Sequence, residues 1–289
     1  MFTQFFGNYL LSNNLVTCEQ LSEALFPKTP HRLKLGTIAI NEGLVTAEQV
    51  EIAHRKQQQE DKRIGDVMVE LGFLTSEQVE HLFSMQHPAH LLLGQSLIDN
   101  GVMTNAEFEK ALGDYKREYS ITDDDIRNEN EMSVKRIMED FYGLADNSLK
   151  SKYVYLLFKN IIRFIGDDFM PIMKDKYTND VTGCVKQAIG GKENILTAYY
   201  SDDAAAAGFA SRFAKEQLTD NDEYTQACIG EFLNLHNGLF AVNVSNDEGH
   251  ELELSPQEYN ATVPSDKIDN SLVISLRFAF GDVDFFVCV

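Results

Sequence analysis

A carboxylate and a carboxamide lie three positions apart in residues 223–240, whose sequence is EYTQACIGEFLNLHNGLF. We predict a helix for this segment, so the side chains of Glu231 and Asn234 would point to the same side. A carboxylate can pair with a cation, and a carboxamide carries both a hydrogen-bond donor and an acceptor. The small neighbours Ala227 and Gly238 would let another surface come close. The plainer alternative is a hydrated helix edge that ends in a glycine cap.

Apolar residues occupy two other sides of the same predicted helix. The first stripe comprises Tyr224, Cys228, Phe232, Leu235 and Leu239, and the second comprises Ile229, Leu233 and Phe240. A helix that is apolar on two sides is mostly buried. We therefore expect the lane between the stripes, which carries Glu231 and Asn234, to be the part that another molecule can reach.

The charge of the chain limits which partners it can have. Its 289 residues carry a formal net charge of −20, from 25 Lys and Arg against 45 Asp and Glu. Such a chain repels nucleic-acid phosphates and anionic lipid headgroups, so we expect no nucleic-acid binding and no membrane insertion. The expected partner is a protein with a basic patch or a small ligand. The length fits two domains better than one.

The sequence also predicts a cytoplasmic protein. It contains no apolar run of the roughly 18 residues that a membrane span needs, and its first residues lack the basic region of a secretory signal. The four cysteines are scattered without a CxxC pair, which is typical of buried thiols in a reducing compartment. His81, His87 and His90 fall around a proline, and we interpret them as part of a loop and predict no metal site.

Internal repeats dominate the N-terminal part. Three columns recur every 29 residues: Gly7, Gly36, Gly65 and Gly94; Thr17, Thr46, Thr75 and Thr104; and Asn14, Gly43, Gly72 and Gly101. Each unit reads as a helix, a turn and a second helix, and the threonine begins the second helix with Gln or Glu three residues later, a capping box. One such hairpin cannot bury its apolar face alone. We predict an all-α array of four 29-residue helix-turn-helix repeats over residues 1–115.

These repeats resemble the N-terminal domains of type II secretion ATPases, one branch of which, the MshEN domains, binds cyclic di-GMP. The MshEN motif stands here as Arg63-Ile64-Gly65 with Gly72 and Gln86, and, with Lys in place of Arg, as Lys34-Leu35-Gly36 with Gly43 and Gln57. A cation beside a helix start can hold a phosphate. The resemblance implies nucleotide-phosphate contacts at Arg63 and Lys34. The alternative is a purely structural or docking array.

The rest of the chain predicts a different architecture. Residues 116–147 are densely charged and are predicted to form a linker, and residues 148–289 an α+β domain. Within this domain we predict helices at 148–165, 202–217 and 223–240 and strands at 180–189, 193–201, 250–254, 272–280 and 282–289. Tight turns between strands predict an antiparallel sheet packed on the long helices.

Residues 148–289 resemble the CheX/CheC family of chemotaxis phosphatases. The resemblance rests on the order of elements and on Glu231-Phe232-Leu233-Asn234, followed by Gly238 and by Ser255-Pro256. The position four before the glutamate, where CheC-type motifs carry Asp or Ser, is Ala227 here. A single such motif on a suitable helix is more similar to CheX than to two-site CheC.

The resemblance implies a phosphatase that acts on a phosphorylated CheY-like receiver. Asn234 would orient the attacking water and Glu231 would pair with a receiver lysine. Mg²⁺ is expected on the receiver, with no cofactor on this chain, and a homodimer is what the family suggests. The alternative is a non-catalytic sensory adaptor whose repeats bind a partner or cyclic di-GMP. The sequence contains no Walker A motif, which argues against intrinsic NTPase activity.

Overall fold

The computed structural model of the chain describes residues 1–26, 33–60, 62–84, 89–127, 130–191, 194–249 and 251–288. The chain divides into two compact units, Phe2–Val134, here called the helical unit, and Lys135–Val289, here called the sheet unit. Among the described helices, none is both long enough and apolar enough to cross a membrane.

The helical unit is built from short helices joined by tight turns. Its helices are α1 Phe2–Ser12, α2 Cys18–Leu25, α3 Leu35–Asn41, α4 Ala47–Glu60, α5 Ile64–Glu70, α6 Ser76–Ser84, α7 Ala89–Asp99, α8 Asn105–Glu118 and α9 Asp123–Arg127. Four of the turns place an Asn or Gly in the left-handed region, with φ of 54° at Asn14, 66° at Gly43, 69° at Gly72 and 69° at Gly101. Only such residues adopt this conformation at low cost, which accounts for that column of the repeat.

The predicted capping boxes are present at all four repeating threonines. In each, the threonine Oγ1 accepts from the backbone N–H three residues later, and the side chain there accepts from the threonine N–H; the pairs are Thr17 with Gln20, Thr46 with Gln49, Thr75 with Gln78 and Thr104 with Glu107. These bonds satisfy backbone donors that a helix start leaves unpaired.

Gly36, Gly65 and Gly94 mark close crossings between the two helices of the second, third and fourth hairpins. A Cβ added at Gly36 would lie 2.7 Å from Val50 Cγ1, and one at Gly94 would lie 2.2 Å from Phe108 Cε2. The hairpins themselves pack out of chain order: α1 and α2 both contact α7 of the fourth hairpin, and α3 contacts α6 and α7. The prediction of a four-repeat array is therefore not confirmed as a stack of successive repeats.

The sheet unit contains an antiparallel sheet with helices against it, as predicted. After α10 Glu131–Tyr142, within which the boundary between the units falls, its elements are α11 Leu149–Phe164, β1 Phe169–Ile172, β2 Val181–Gly190, β3 Ile195–Ser201, α12 Asp203–Ala214, α13 Glu223–Glu248, β4 Glu253–Leu254, β5 Glu258–Val263, α14 Ser265–Ile268, β6 Ser271–Phe278 and β7 Gly281–Cys288. The strands lie in the order β1-β6-β7-β3-β2-β4, and β5 also pairs with β2. Residues 193, 250 and 289 of the predicted strands lie outside the described residues.

One face of the sheet packs on α12 and α13 through aromatic side chains. Tyr199 of β3 and Phe285 of β7 both contact Phe209 of α12, with ring centroids 5.1 and 6.2 Å apart. Phe209 in turn contacts Phe232 of α13 at 5.0 Å. This contact is the expected result of alternation in β7, which places every second residue toward the helices.

The opposite face of the sheet is also covered, although the period-two spacing of Val283, Phe285 and Val287 along β7 predicts only one apolar face. Phe286 and Cys288 belong to a second buried cluster with Val181 and Ile268. At its edge Lys174 Nζ lies 3.0 Å from Oδ2 of the buried Asp284. The segment after β1 is thus held against the sheet by an ion pair.

Candidate functional site

Helix α13 places Glu231 and Asn234 on the side of the sheet unit that faces solvent. Asp222 caps the helix by accepting from the Thr225 N–H at 2.9 Å. The helix continues through Gly238 and ends at Gly249, which has φ of 69°. The glycine cap considered for Gly238 is therefore wrong, because the turn falls eleven residues later, at the next glycine of the chain.

The exposed lane of α13 is broader than the sequence predicted. Glu231 is exposed and Asn234 half-buried. Tyr224 and Leu239, which we placed in a buried apolar stripe, are 51% and 39% exposed, and Val242 is 56% exposed. The lane is therefore a carboxylate and a carboxamide set among apolar side chains that solvent can reach.

The Asn234 carboxamide is held by a residue of the sheet. Gln187 on β2 donates from Nε2 to Asn234 Oδ1 at 2.8 Å and to the backbone carbonyl of Ser255 at 2.8 Å. No described residue accepts a hydrogen bond from Asn234 Nδ2. One side of the carboxamide is thus anchored and its donor side is left for another molecule.

A buried hydrogen-bond network centred on Asn237 holds the carbonyl end of the Gln187 side chain. Asn237 donates from Nδ2 to Gln187 Oε1 and to Thr197 Oγ1, both at 2.8 Å, and its own Oδ1 accepts from the Tyr153 hydroxyl at 3.0 Å. Burial raises the pKa of Tyr153, so this hydroxyl remains protonated and donates. The network connects β2, β3, α11 and α13.

Ser255 and Pro256, which carry part of the family resemblance, lie beside the same amide. Ser255 follows β4 and exchanges hydrogen bonds with Ala188: its N–H donates to the Ala188 carbonyl at 2.9 Å, and its Oγ accepts from the Ala188 N–H at 3.0 Å. Ser255 O and Asn234 Oδ1 accept from one nitrogen, Gln187 Nε2. The structure therefore brings Ser255 next to Asn234 through Gln187.

Tyr259 of strand β5 lies against α13 at Gly230, beside the exposed lane. A Cβ added at Gly230 would lie 2.6 Å from the hydroxyl oxygen of Tyr259 on β5, so the phenol lies against bare helix backbone. Toward the start of α13, Tyr259 also lines an open groove of about 700 Å³ together with Asp222 and Glu223. These carboxylates make this end of the lane acidic.

The other reactive side chains of α13 are placed away from solvent. His236 is 0% exposed, and its Nδ1 lies 2.9 Å from the Asn160 amide nitrogen. Burial lowers the pKa of His236 to about 3, so the ring is neutral near pH 7. Burial also raises the pKa of the Cys228 thiol, which keeps it protonated. Neither side chain is placed to act as a base or nucleophile on an outside substrate.

Lys34 and Arg63, predicted to contact a nucleotide phosphate, both precede short helices of the helical unit. Lys34 precedes α3, and its Nζ lies 2.5 Å from Asp99 Oδ1 in an ion pair. Arg63 precedes α5 and is exposed. The ammonium group of Lys34 is already paired with the Asp99 carboxylate, which would repel a phosphate. Gln86 and His87 lie outside the described residues.

Gln187, Thr197 and Asn237 were not among the site residues predicted from the sequence. One signal for Gln187 was available in β2: it stands two positions from both Val185 and Ile189, so it shares their inward face. In the part of the chain that the structure describes, no group of three or more His, Cys, Asp and Glu residues is arranged to hold a metal ion.

The solved structures that are similar to about half of this chain include CheX and CheC-like chemotaxis proteins. A CheC-like superfamily protein from Shewanella sp. PV-4 is 16% identical with a TM-score of 0.41, covering 50% of this chain and 98% of that one. CheX from Desulfovibrio desulfuricans is 17% identical with a TM-score of 0.37, covering 48% and 97%. The CheX–CheY–BeF₃–Mg²⁺ complex from Borrelia burgdorferi is 15% identical with a TM-score of 0.39, covering 49% and 97%.

No protein-family model matches the chain, and no curated protein matches it either. Because the identities and TM-scores to solved structures are this low, the proposed function rests on the contacts of the chain itself and on the motif formed by Glu231, Asn234 and Gly238.

Proposed function

We propose that the sheet unit accelerates hydrolysis of the phosphoaspartate of a CheY-like receiver protein. The observation that carries the proposal is the direction of the Asn234 carboxamide. Its oxygen is anchored by Gln187 at 2.8 Å, and its Nδ2 donor faces outward on the same lane as the exposed Glu231. The substrate class follows from the resemblance of Glu231, Asn234 and Gly238 to the CheX/CheC motif.

The reaction needs a positioned water more than a reactive group. The water oxygen bonds to phosphorus while the bond from phosphorus to the aspartyl oxygen breaks, giving a free carboxylate and inorganic phosphate. Mg²⁺ bound to the receiver would neutralise the phosphoryl oxygens, and Asn234 Nδ2 would hold the attacking water in line. An anchored amide suits this task because it loses little freedom when the substrate arrives.

The side chains around Asn234 support positioning over covalent or acid–base catalysis. The thiol of Cys228 is protonated and buried, and the imidazole of His236 is neutral and buried. In this proposal neither forms an intermediate with the phosphoryl group. The chain supplies geometry, and the receiver supplies the metal ion and the leaving carboxylate.

The charge and apolar surface of the lane support docking of a receiver with a basic group. Glu231 is exposed and has no ion-pair partner among the described residues. A receiver lysine can pair with it, while Tyr224 and Leu239 offer apolar contact on either side. The net charge of −20 would speed encounter with a positively charged surface.

The test is the lifetime of a phosphorylated receiver with Mg²⁺, with and without the chain. We expect Asn234→Ala to lower the rate constant of the bound complex by about 100-fold, since misplacing a reacting water costs about that much. Binding to the receiver loaded with beryllium fluoride should be unchanged. Asn243→Ala, an exposed asparagine of the same helix, is the matched control and should behave as wild type.

Two results would count against the proposal in different ways. Wild-type turnover by Asn234→Ala would refute the role of the carboxamide. A wild-type chain that binds the loaded receiver without shortening the phosphate lifetime would refute phosphatase activity and point to the adaptor instead.

A further inference from the structure

Gln187 is a polar residue in an apolar position. It is 1% exposed, lies on the face of β2 that packs on α13, and has Thr197 as its directly opposite partner on β3. Thr197 is 0% exposed. Burying two polar side chains costs free energy unless each is fully hydrogen-bonded, so a strand built only for packing would carry apolar residues here.

The hydrogen bonds of Gln187 leave it a single orientation. Its Nε2 has two hydrogens, which go to Asn234 Oδ1 and to the Ser255 carbonyl. A backbone carbonyl can only accept, so the nitrogen of Gln187 must face Ser255 and its oxygen must face Asn237 Nδ2. A donor therefore always faces Asn234.

This fixed donor determines which end of the Asn234 carboxamide faces the solvent. The terminal torsion of asparagine is broad and roughly two-fold, so a free carboxamide would present its oxygen and its nitrogen in turn. With Gln187 donating, the oxygen points inward and Nδ2 points outward. We propose that Gln187 is a positioning residue that holds Asn234 in the orientation needed for catalysis. This inference rests on the proposed function.

Loss of the Gln187 side chain should slow the chemical step without weakening docking. Gln187 is buried and touches no outside molecule, so its loss should leave receiver affinity intact. For Gln187→Leu we expect the rate constant of the bound complex to fall about 10- to 100-fold, because the carboxamide then samples both orientations and misplaces the water. Affinity for the beryllium-fluoride-loaded receiver should stay within about twofold, a small change on the scale of binding free energies.

A second variant, Gln187→Glu, should reverse the orientation of the Asn234 carboxamide. In Gln187→Glu the ionised side chain only accepts, so Asn234 would turn its Nδ2 inward and present its oxygen to the solvent. Burial favours the protonated, donating form of the new carboxyl group. The activity of this variant relative to wild type should therefore rise as pH falls. A purely structural role would not produce that pH profile.

Two controls isolate the position from the substitution. Gln217→Leu makes the same change at an exposed residue and should have no effect. Asn243→Ala removes an exposed carboxamide of α13 and should leave both the rate constant and the receiver affinity as in wild type.

The outcomes distinguish this inference from the proposed function. If Asn234→Ala is inactive and Gln187→Leu folds with a wild-type rate constant, the positioning role is refuted and the phosphatase stands. If the wild-type chain has no activity, the proposed function fails first. Should both Gln187 variants fail to fold, side-chain hydrogen exchange in the wild type decides. The Gln187 amide protons must then exchange at least about 10-fold more slowly than those of Asn234, and similar rates would overturn the inference.

Discussion

Replacing Asn237 by alanine tests the buried network at its centre. Asn237 is 0% exposed and has three partners, the Tyr153 hydroxyl, Gln187 Oε1 and Thr197 Oγ1. Alanine would leave all three without this partner in a place that water does not reach. It would also free the carbonyl end of Gln187.

The loss of unfolding free energy depends on which hydrogen bonds each partner of Asn237 retains. A buried polar group left unpaired costs about 1–3 kcal/mol. Thr197 keeps its bond to the Gln187 backbone carbonyl at 3.0 Å, and Gln187 keeps both of its donor contacts, so the lower end applies to each. We expect Asn237→Ala to lower the free energy of unfolding by about 3–4 kcal/mol. Tyr153→Phe, which removes one bond, should cost about 1–2 kcal/mol.

The assay is urea denaturation followed by circular dichroism, because the chain contains no tryptophan. Asn243→Ala on the exposed side of the same helix should change the free energy of unfolding by less than about 0.5 kcal/mol. Equal losses for Asn237→Ala and Asn243→Ala would refute the reasoning, since they would show that the network contributes no more than a solvated asparagine.

Three further predictions concern packing, docking and pH. Gly94→Ala should destabilise the protein by about 1–3 kcal/mol because the new Cβ would lie 2.2 Å from a Phe108 ring carbon. Gly113→Ala places its Cβ with nothing within 4 Å and should stabilise the protein by about 0.5–1 kcal/mol. Thermal unfolding of the two variants measures both effects. Glu231→Gln should weaken receiver binding about fivefold at low salt without changing the rate constant of the bound complex, as titration calorimetry and single turnovers can show. Burial lowers the pKa of His236 to about 3, so the stability that its neutral ring provides is complete above the ordinary pKa of 6.5 and is lost as pH falls toward 3. Burial lowers the pKa of His90 to about 3 as well, so both histidines add to the slope of the unfolding free energy against pH. In His236→Phe the slope between pH 6 and 5 should fall by about 1 kcal/mol per pH unit, as pH-dependent urea denaturation can show.

Local features were the most predictable part of this chain. The capping boxes and the left-handed turn residues depend on side chains three residues apart or on a single φ angle, so Thr104 and Gly101 already indicate them. The antiparallel sheet was also predictable, since the strands alternate and tight turns join them. The short elements β1, β5 and α14 were missed because they carry too few periodic residues to signal a strand or helix.

The supporting part of the site could not be predicted because it depends on long-range register. Gln187 and Asn234 are 47 positions apart, and they meet only because β2 lies beneath α13 with that strand face inward. A slip of one residue in β2 would turn Gln187 to the opposite face of the sheet. The spacing of Glu231 and Asn234 thus predicted that the two side chains share one side of the helix. It did not predict that Gln187 anchors the Asn234 carboxamide. Likewise, nothing near Tyr224 indicated that it would be 51% exposed, because that depends on what packs against the helix.

The absence of a side chain at Gly230 limits how the exposed lane of α13 can be redesigned to bind a new receiver. Any side chain there would collide with the Tyr259 phenol, whose oxygen would lie 2.6 Å from the first added carbon, and would displace this exposed ring from the helix. A combinatorial library should therefore keep position 230 constant. It can diversify Tyr224, Leu239 and Val242, whose exposure leaves room for other shapes and charges.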